Sequence, residues 1–407
     1  MSEWSDLPKE LLQTIAKCLD SRVDVLRLRS VCTSWRSSVS FPSFDEEIPP
    51  LILKLPQPIG IDAVLFHATI CRMEFSHQNA NSSSSESNSK GWLTKIRVSK
   101  LGKLKLVHPL SDYPIMYSPF TLNLLDFRFF ELSKAFMLKF PFGFPLYEVN
   151  KVVLFPISAR CSKYEISILA IYHEGKLGYW KYGDESWTLL DDKNFQYDDI
   201  IEYKGQFYVV DRWGTVSWID SSLKLIQYSP PLFGCGGQKN LVESCGDLYV
   251  VDRYLDGERR TWNDYENLDV NFPARRRTYR MCNPNATDFR IHKLDEEWGT
   301  WVDVKSLGDR AFVLGVDCSF SISSGDFFGG KGNCIYFTDD DNFKGKGLSS
   351  DSIRVFRLEN HIIEKVTTLP EYSQIFWPPN FGLTGSNSAP KFNVSDLLKS
   401  LSAVMKA

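Results

Sequence analysis

The stretch that comes nearest to a known chemical site is "GDFFGGKG", Gly325 to Gly332. It nearly fits the pattern G-x-x-x-x-G-K-[S/T], in which backbone amides cradle a phosphate and the final hydroxyl binds Mg²⁺. Gly332 stands where that hydroxyl is required, and no helix pattern follows that would point its N-terminus at a phosphate. We therefore interpret the stretch as a flexible loop between strands and not as a nucleotide site.

Other residues that could bind a metal or act in catalysis do not form a recognisable set. The sequence has no Cys-x-x-Cys pair and its six histidines are scattered, so no zinc site is legible. Asp339-Asp340-Asp341 could bind a cation, although an acidic turn after a strand is the commoner meaning of such a run. There is no Gly-x-Ser-x-Gly elbow, and no two acids are spaced for general acid–base catalysis. We expect a non-enzyme without a cofactor or a metal.

The composition favours a β-rich globular protein. The 407 residues are 43% hydrophobic and 24% charged, and the high aromatic content of 14% is typical of strands. A net charge of -3 gives no reason to expect nucleic acid or an anionic membrane as a partner. The short basic cluster "ARRRTYR", 274–280, is most simply a solvated loop, with nuclear import or an acidic target as alternatives.

The expected compartment is the cytoplasm, the nucleus or both. No apolar run of about 18 residues is long enough to span a membrane. The opening residues, Met1 to Trp4, lack the basic and apolar regions of a secretory signal. Nine cysteines, an odd number, are then expected to be reduced thiols.

Residues 1–45 are predicted to form two or three short helices. One apolar stripe has helical spacing and consists of Leu7, Leu11, Leu12, Ile15 and Leu19. A second stripe, within Val23 to Val39, consists of Val25, Leu28, Cys32 and Trp35, with Asp24 as its expected N-cap. Because so short a segment rarely forms a self-sufficient core, periodicity alone leaves two interpretations open. The helices either pack on the β region as a flap or present a docking face to another protein.

The order of residues in this segment resembles an F-box. The resemblance rests on Leu7-Pro8, Glu10-Leu11-Leu12, Ile15, Leu26-Arg27, Val31-Cys32 and Trp35-Arg36. It implies binding to the Skp-type adaptor of cullin-RING ubiquitin ligases, and through it to the cullin and RING subunits. By position, Leu7, Pro8, Leu11, Leu12 and Ile15 would line the adaptor groove, while Leu26, Val31, Cys32 and Trp35 would hold the helices together and complete the contact. Thr33 departs from the arginine found in many members.

Two polar or proline-rich segments predict boundaries. Residues 46–60 carry Pro49, Pro50, Pro56 and Pro58, which indicates a stiffened linker after the helical part. Residues 77–91, "HQNANSSSSESNSKG", are of low complexity and predict a flexible surface loop. The region 61–392 is then the β domain, and 393–407 carries an apolar stripe that predicts a C-terminal helix.

A repeated octapeptide predicts the architecture of the β domain. "GQFYVVDR" starts at Gly205 and "GDLYVVDR" at Gly246, 41 residues later, and "NCIYFTD" from Asn333 is a third version. A period of about 40–45 residues is typical of propeller blades, each of which buries its faces only against other blades. Further hairpins are predicted around Gly178, between Phe289 and Gly315, and after Ile353. We expect about six or seven blades closed into a ring.

The β domain also resembles a family, the plant F-box proteins with a C-terminal KIB-type, propeller-like domain. The motifs that carry this resemblance are "DIIEYKGQFYVVDRWG", "LGDRAFVLG", "GNCIYFTDDD" and "IFWPPNF". The resemblance implies a substrate-recognition subunit of an SCF-type ligase, in which the propeller binds an unknown target protein for ubiquitination and proteasomal degradation. Two alternatives remain: a propeller-based enzyme or small-molecule sensor, and an adaptor-bound scaffold not linked to degradation.

The target-facing residues are the least specified part of the prediction. Aromatic residues near predicted turns are the candidates, and they are Trp213, Tyr254, Trp262 and Trp377. Most such residues pack in the core or at the rim of a domain, so the sequence names a kind of partner and no particular one.

Overall fold

The fold is taken from a computed structural model of the chain. It describes residues 7–19, 22–39, 51–75, 90–98, 104–111, 127–155 except 142, 144–145 and 147, 166–256 except 174, 192–195, 233 and 235, 285–338, and 353–376. Several predicted features therefore lie outside the described residues: the Ser-rich part of the 77–91 loop, the basic cluster 274–280, Asp339 to Asp341, and the helix predicted at 393–407.

The N-terminal segment forms three short helices, as its apolar spacing predicts. These are α1 (Lys9–Lys17), α2 (Arg22–Ser30) and α3 (Thr33–Ser38). Pro8 stands at the N-cap of α1, and the Sγ atom of Cys32 caps α3 by accepting a hydrogen bond from the Trp35 N–H at 3.4 Å. Asp24 is not an N-cap, because α2 begins at Arg22 and places Asp24 in its first turn.

The β region contains 22 strands in its described part, followed by a one-turn helix, α4 (Pro370–Ser373). The strands are β1 (Ile52–Lys54), β2 (Asp62–Phe75), β3 (Trp92–Val98), β4 (Leu104–Val107), β5 (Phe127–Lys139), β6 (Val149–Phe155), β7 (Ser167–Tyr172), β8 (Lys176–Lys181), β9 (Thr188–Leu189), β10 (Tyr197–Tyr203), β11 (Gln206–Asp211), β12 (Val216–Ile219), β13 (Leu225–Gln227), β14 (Gln238–Ser244), β15 (Asp247–Leu255), β16 (Ala286–Asp295), β17 (Thr300–Asp303), β18 (Arg310–Leu314), β19 (Ser319–Ser323), β20 (Cys334–Thr338), β21 (Ile353–Arg357) and β22 (Ile362–Lys365).

These strands form five blade-like units. Three are separate sheets in the orders β10-β11-β12-β13, β14-β15-β16-β17 and β19-β18-β20-β21-β22. The remaining strands form one nine-stranded sheet, but only the pair Phe136↔Val152 joins β5 to β6. That sheet is therefore two units. We number the blades in chain order: blade 1 (β1–β5), blade 2 (β6–β9), blade 3 (β10–β13), blade 4 (β14–β17) and blade 5 (β18–β22).

Buried apolar clusters join each blade to the next and close the ring. Separate clusters lie between blades 1 and 2, 2 and 3, 3 and 4, and 4 and 5. A fifth cluster joins Ile70 and Leu93 of blade 1 to Val313 of blade 5. The fold is mainly β with a small helical N-terminus, as predicted, and the described strands give five blades instead of the expected six or seven. The 41-residue period holds for the step from blade 3 to blade 4, whereas blade 1 uses the much longer strands β2 and β5.

The octapeptide repeat marks equivalent strands, β11 and β15, each second in its blade. Phe207 to Val210 are all buried, as expected for an apolar run covered on both faces. The glycines occupy two-residue turns: Lys204-Gly205 and Cys245-Gly246 all have positive φ, the conformation of type I′ hairpins. Glycine adopts this conformation without steric cost, which explains its place at the start of both copies.

Two boundary predictions need correction. The predicted linker 46–60 contains β1, which pairs with β2 through Leu53↔Ala63, so sheet structure begins earlier than expected. The stretch Gly325 to Gly332 is not a loose loop, because the Gly91 N–H donates to Asp326 O and Phe328 N–H donates to Gly91 O. Phe327 is buried in the cluster between blades 5 and 1. The stretch is followed by the strand β20 and not by a helix, which agrees with the prediction that it is not a nucleotide site.

Candidate functional site

The three N-terminal helices close a small core of their own. Its buried members come only from this segment and are Leu12, Val25, Trp35 and Val39. Leu7, Ala16, Leu19, Leu28 and Cys32 pack partly buried against it. The Gln13 side chain adds a link from α1 to the end of α3 by donating to Ser38 O at 3.4 Å. The segment is therefore a compact unit and not a flap that borrows the core of the propeller.

One side of α1 is left in solvent. Leu11 is 51% exposed and Ile15 is 41% exposed, and they lie one turn apart on the helix, with the exposed Pro8 at its start. Val31, between α2 and α3, is 47% exposed. We call Pro8, Leu11 and Ile15 the α1 face. Single exposed apolar side chains are common, but a group of them on one side of a helix is a surface that another protein can cover.

The structure places the predicted site residues in different environments. Pro8, Leu11 and Ile15 are exposed as a docking role requires, and Trp35 and Cys32 hold the helices together. Leu12, predicted to line the adaptor groove, is fully buried in the helical core instead. Val31, predicted to hold the helices together and complete the adaptor contact, is 47% exposed, which leaves only the second of these roles open to it.

The two remaining predicted site residues are intermediate. Leu7 is half-buried against the helical core, and Leu26 is half-buried outside that cluster. Adaptor binding by any of these residues stays a prediction, because the structure shows the position of each side chain and not its partner.

Helix α2 also contacts blade 1. Arg27 donates from Nη1 to Asp24 Oδ1 at 3.0 Å and from Nη2 to the carbonyl oxygen of Phe127, the first residue of β5. Burial raises the pKa of the Cys71 thiol on β2, and the charges of Glu131 and Asp24 raise it further. Asp24 is therefore near enough to blade 1 to act on it, and Arg27 joins the helices to the ring.

The blades meet around a network of buried charges, to which each blade contributes. The members of this buried charge network are Lys95, Lys151, Asp198, Asp199, Lys239, Asp252 and Asp317. Lys95 of blade 1 pairs with Asp317 of blade 5, and Lys151 Nζ of blade 2 lies 2.6 Å from Asp199 Oδ1 of blade 3. Buried charges are tolerated only when they are paired, and these two pairs each link neighbouring blades.

Buried carboxylates of blade 3 also accept backbone N–H groups of blade 4. Asp199 Oδ2 accepts the Leu241 N–H at 2.8 Å, and Asp198 Oδ2 accepts the Lys239 N–H at 3.0 Å. Lys239 Nζ lies 2.6 Å from Asp252 Oδ1, and both side chains are fully buried. Elsewhere, on β5 of blade 1, burial and the nearby Arg97 lower the pKa of Lys139 to about 7, although the charge of Asp317 raises it. Lys95, Lys151 and Lys239 are each paired with a carboxylate, which suits a structural role better than acid–base catalysis.

Comparison with known proteins assigns the chain to a family. Residues 4–44 match the F-box-like family, and residues 63–357 match the family described as the KIB1-4 beta-propeller. The chain belongs to the F-box proteins that carry this propeller. Three Arabidopsis thaliana relatives align with nearly its whole length. At1g65770 is 34% identical over 92% of this chain and 97% of its own. F-box protein SKIP23 is 32% identical (93% and 95%), and F-box protein At2g17036 is 28% identical (96% and 96%).

A solved structure from Bacteroides thetaiotaomicron, of a protein of unknown function, is also similar. It is 11% identical over 63% of this chain and 61% of its own, with a TM-score of 0.25. So low a score carries no argument. For this F-box protein, the helices α1–α3 are the segment that implies a Skp-type adaptor as partner.

The predicted target-facing residues of this F-box protein are only partly described. Trp213 is half-buried beside Arg212, whose guanidinium lies 5.2 Å from the ring centroid. Tyr254 is half-buried, with the Arg290 guanidinium 5.4 Å from its ring centroid. Trp262 and Trp377 lie outside the described residues. Both described residues are packed by arginines, so neither stands out as a docking residue.

Sequence reasoning missed the most exposed large apolar side chain of the described residues, Trp298, which is 75% exposed. It lies in "DEEWGT", Asp295 to Thr300, the turn between β16 and β17. Tryptophan among acids in a predicted hairpin turn is the signal that could have identified it, because nothing in a turn covers such a ring.

Within the part of the chain that the structure describes, no group of three or more His, Cys, Asp or Glu side chains is arranged to hold a metal ion. None of the described helices has the length and apolar character needed to cross a bilayer.

Proposed function

We propose that this chain is the substrate-recognition subunit of an SCF-type ubiquitin ligase. Its α1–α3 segment binds a Skp-type adaptor, and its propeller binds a target protein that is then ubiquitinated and degraded. The observation that carries the proposal is the α1 face: Leu11 and Ile15 stay exposed although the three helices have a closed core of their own. Membership of the F-box family supports the choice of partner.

The α1 face is large enough to contribute real affinity. Fully burying a leucine or isoleucine side chain is worth about 1.5–3 kcal/mol, and these two are about half exposed before binding. Association entropy and ordering remove part of this gain, so further contacts around Pro8 and Val31 are required for a stable complex. We therefore expect the α1 face to be necessary for adaptor binding without accounting for all of its free energy.

The role of the chain in the ligase is positional. A target held beside the ubiquitin-loaded subunit has its lysines at a high effective concentration, so the receptor needs no catalytic group. The engagement of the buried carboxylates with lysines and backbone amides supports a non-catalytic assignment. The six described cysteines are free thiols, which supports work in the reducing cytoplasm or nucleus.

The test is the double variant Leu11→Ala/Ile15→Ala, co-expressed with a Skp-type adaptor and measured by calorimetry. We expect affinity to fall about 10- to 100-fold, because truncating two side chains removes about 1–3 kcal/mol of burial in total. The free energy of unfolding should change by no more than about 0.5 kcal/mol, since both side chains are exposed. Leu189→Ala, an exposed leucine on β9, is the matched control and should leave adaptor binding intact.

Undiminished adaptor binding by the double variant would show that the docking face lies elsewhere. A reconstituted ligase then tests the second half of the proposal. The target captured by the propeller should be ubiquitinated with the wild-type chain and not with the double variant. A target that is bound but never ubiquitinated would indicate a scaffold instead of a degradation receptor.

A further inference from the structure

The turn between β16 and β17 holds Trp298 in solvent by a set of hydrogen bonds. Asp295 Oδ1 accepts the backbone N–H groups of Glu297 at 3.0 Å and Trp298 at 3.2 Å. The Gly299 N–H donates to Asp295 O at 2.8 Å, and Gly299 has a positive φ of 62°. The indole is therefore presented by an ordered turn. A pre-ordered contact loses less conformational entropy on binding than one on a loose loop.

Blade 3 supplies the other half of the same surface. The Tyr228 hydroxyl donates to Glu296 Oε1 at 2.5 Å and so fixes a carboxylate two residues from the tryptophan. Lys204 Nζ lies 3.8 Å from Glu296 Oε1 and 4.7 Å from the ring centroid of Tyr203. We call Tyr203, Lys204, Tyr228, Glu296 and Trp298 the blade 3–4 patch. It already holds one ammonium group between an aromatic ring and a carboxylate.

The turns that surround the patch are acidic. The Tyr203 hydroxyl donates to Gly246 O, and Lys204 Nζ approaches Glu296, so the Gly205 turn contacts the turns around Gly246 and Gly299. Lys293 Nζ on β16 lies 2.6 Å from Asp247 Oδ2. Their carboxylates are Glu202, Glu243, Asp247, Asp295, Glu296 and Glu297, and their ammonium groups are Lys204 and Lys293. Six carboxylates against two ammonium groups give this surface a negative potential, which attracts and orients a cationic partner.

We propose that the blade 3–4 patch binds a segment of the target protein that carries lysine or arginine side chains, with a cationic head group over Trp298 and beside Glu296. The proposal rests on the function proposed above, since it names the chemistry of the target that the propeller receives. The raised pKa of Lys204, due first to its hydrogen bond with Tyr203, shows that these surroundings favour the charged form of an amine.

The side chains of the patch match this partner in type. A guanidinium or ammonium group is attracted to the face of tryptophan more strongly than to tyrosine or phenylalanine. Arginine can also form two parallel hydrogen bonds with one carboxylate, as Glu296 would allow by releasing Lys204. Tryptophan is among the residues that most often dominate binding free energy at protein interfaces.

The experiment uses the full chain in complex with its adaptor and two labelled synthetic peptides of equal length. One peptide bears several arginines, and the other has glutamate at each of those places. Fluorescence anisotropy should show binding of the arginine peptide alone, weakening as salt is raised. Trp298→Ala and Glu296→Gln should each weaken it roughly 3- to 10-fold, the size expected for one cation–π or one charge contact. The matched controls are Ile362→Ala and Glu359→Gln, exposed residues on the outer hairpin of blade 5, which should leave it unchanged.

The outcomes separate this proposal from the function on which it rests. Equal binding of both peptides, or arginine-peptide binding that Trp298→Ala and Glu296→Gln leave unchanged, would overturn the proposed role of the blade 3–4 patch. Neither result would affect the conclusion on adaptor binding. Failure of the wild-type chain to bind a Skp-type adaptor would overturn the ligase function, and the same peptides and variants would then test the patch on the full chain alone. A concentration-dependent dimer that disappears in Trp298→Ala would show that the patch binds a second copy of this chain, and would also overturn the proposal.

Discussion

The helices α1–α3 close their core over four buried side chains and leave Leu11 and Ile15 in solvent. Blades 5 and 1 of the propeller bury 18 side chains in a single interface, and the ring has five such interfaces. The helices are thus a small unit that leaves apolar side chains exposed. The propeller is a large unit whose blades bury one another's apolar faces.

This difference shows how one chain can combine a fixed partner with a variable one. A small helical unit with an exposed apolar stripe needs a second protein to cover it, which suits a constant subunit such as an adaptor. In a ring of blades the buried faces are covered by neighbouring blades and only short outer edges remain, so the turns can differ in sequence without loss of the core. Variants of the helices and of the ring should therefore differ in their effects.

The buried charge network should be the most sensitive part of the ring. Lys239→Met leaves the fully buried Asp252 carboxylate without its ammonium partner, which lies 2.6 Å away. Breaking a buried pair in this way costs about 3–5 kcal/mol. We expect a loss of that size in urea unfolding followed by tryptophan fluorescence.

The control for this prediction is the double variant Lys239→Met/Asp252→Leu. Removing both charges should recover part of the loss, because no unpaired charge remains in the core. Recovery should be incomplete, since Asp252 Oδ2 also accepts the Gly236 N–H at 3.2 Å. A single variant as stable as the wild type would show that the network does not hold the blades together.

The same substitution in the two cores should give different outcomes. Leu12 and Leu93 are both fully buried, Leu12 in the helical core and Leu93 between blades 1 and 5. A buried Leu→Ala change costs about 2–5 kcal/mol. Leu12→Ala should unfold the helices and abolish adaptor binding without moving the thermal midpoint of the propeller, whereas Leu93→Ala should lower that midpoint. Circular dichroism and calorimetry distinguish the two, and equal midpoints for both variants would show that the helices and ring unfold as one unit.

A buried carboxyl in the ring should make stability depend on pH. Burial raises the pKa of Asp211 to about 6. Its Oδ1 accepts hydrogen bonds from the Trp213 and Thr215 N–H groups at 2.8 and 2.9 Å, which lower the pKa but do not offset the burial. Between about pH 4 and 6 the unfolded chain has lost this proton and the folded chain keeps it, so stability falls as pH rises through this window. The shift corresponds to at most about 3 kcal/mol.

The variant Asp211→Asn keeps the oxygen acceptor and removes the titration. On going from pH 4 to pH 7, we expect the variant to lose about 1–3 kcal/mol less unfolding free energy than the wild type. Parallel pH profiles for the two proteins would mean that Asp211 does not titrate in this window.

Local structure could be predicted from the sequence where backbone conformation or helical spacing restricts the residue type. The glycines of the octapeptide predicted equivalent turns, because Gly205 and Gly246 both require positive φ. The helical stripe predicted α1 but did not show which of its two adjacent leucines is buried. Leu11 and Leu12 are about 100° apart on a helix, and both fit a wide apolar face. Only the packing of α2 and α3 decides that Leu12 enters the core.

Two features could not be read from the sequence because they depend on contacts between distant segments. Asp199 looks like a surface residue in a strand pattern, and only the packing of blade 3 on blade 2 brings it to Lys151. Lys239 faces Asp252 across one hairpin, but only the neighbouring blades bury that pair. The expectation of six or seven blades extended one 41-residue step to the whole domain, whereas the described strands form five blades. The 14-residue β2 and 13-residue β5 show that blade 1 takes a longer share of chain.

The smallest expected effect on stability concerns Arg27, which joins the two regions through Asp24 and the carbonyl of Phe127. It is partly exposed and lies outside the helical core, so Arg27→Ala should change the free energy of unfolding by no more than about 1 kcal/mol. Adaptor affinity should be unchanged, because the α1 face is untouched. Ubiquitin transfer to a bound target should nevertheless slow, since a helical unit that moves against blade 1 holds the target less accurately.

Hydrogen exchange at the start of β5 would report that motion directly, with faster exchange in Arg27→Ala than in the wild type. Arg27→Lys is the matched variant, because lysine keeps the charge beside Asp24 but cannot donate to both acceptors in a fixed fork. If Arg27→Ala slows transfer and Arg27→Lys restores only part of the rate, the fork that bridges α2 and β5 sets the geometry between the two regions. If both variants transfer ubiquitin at the wild-type rate, the helices and the ring act independently, and their separation in packing extends to function.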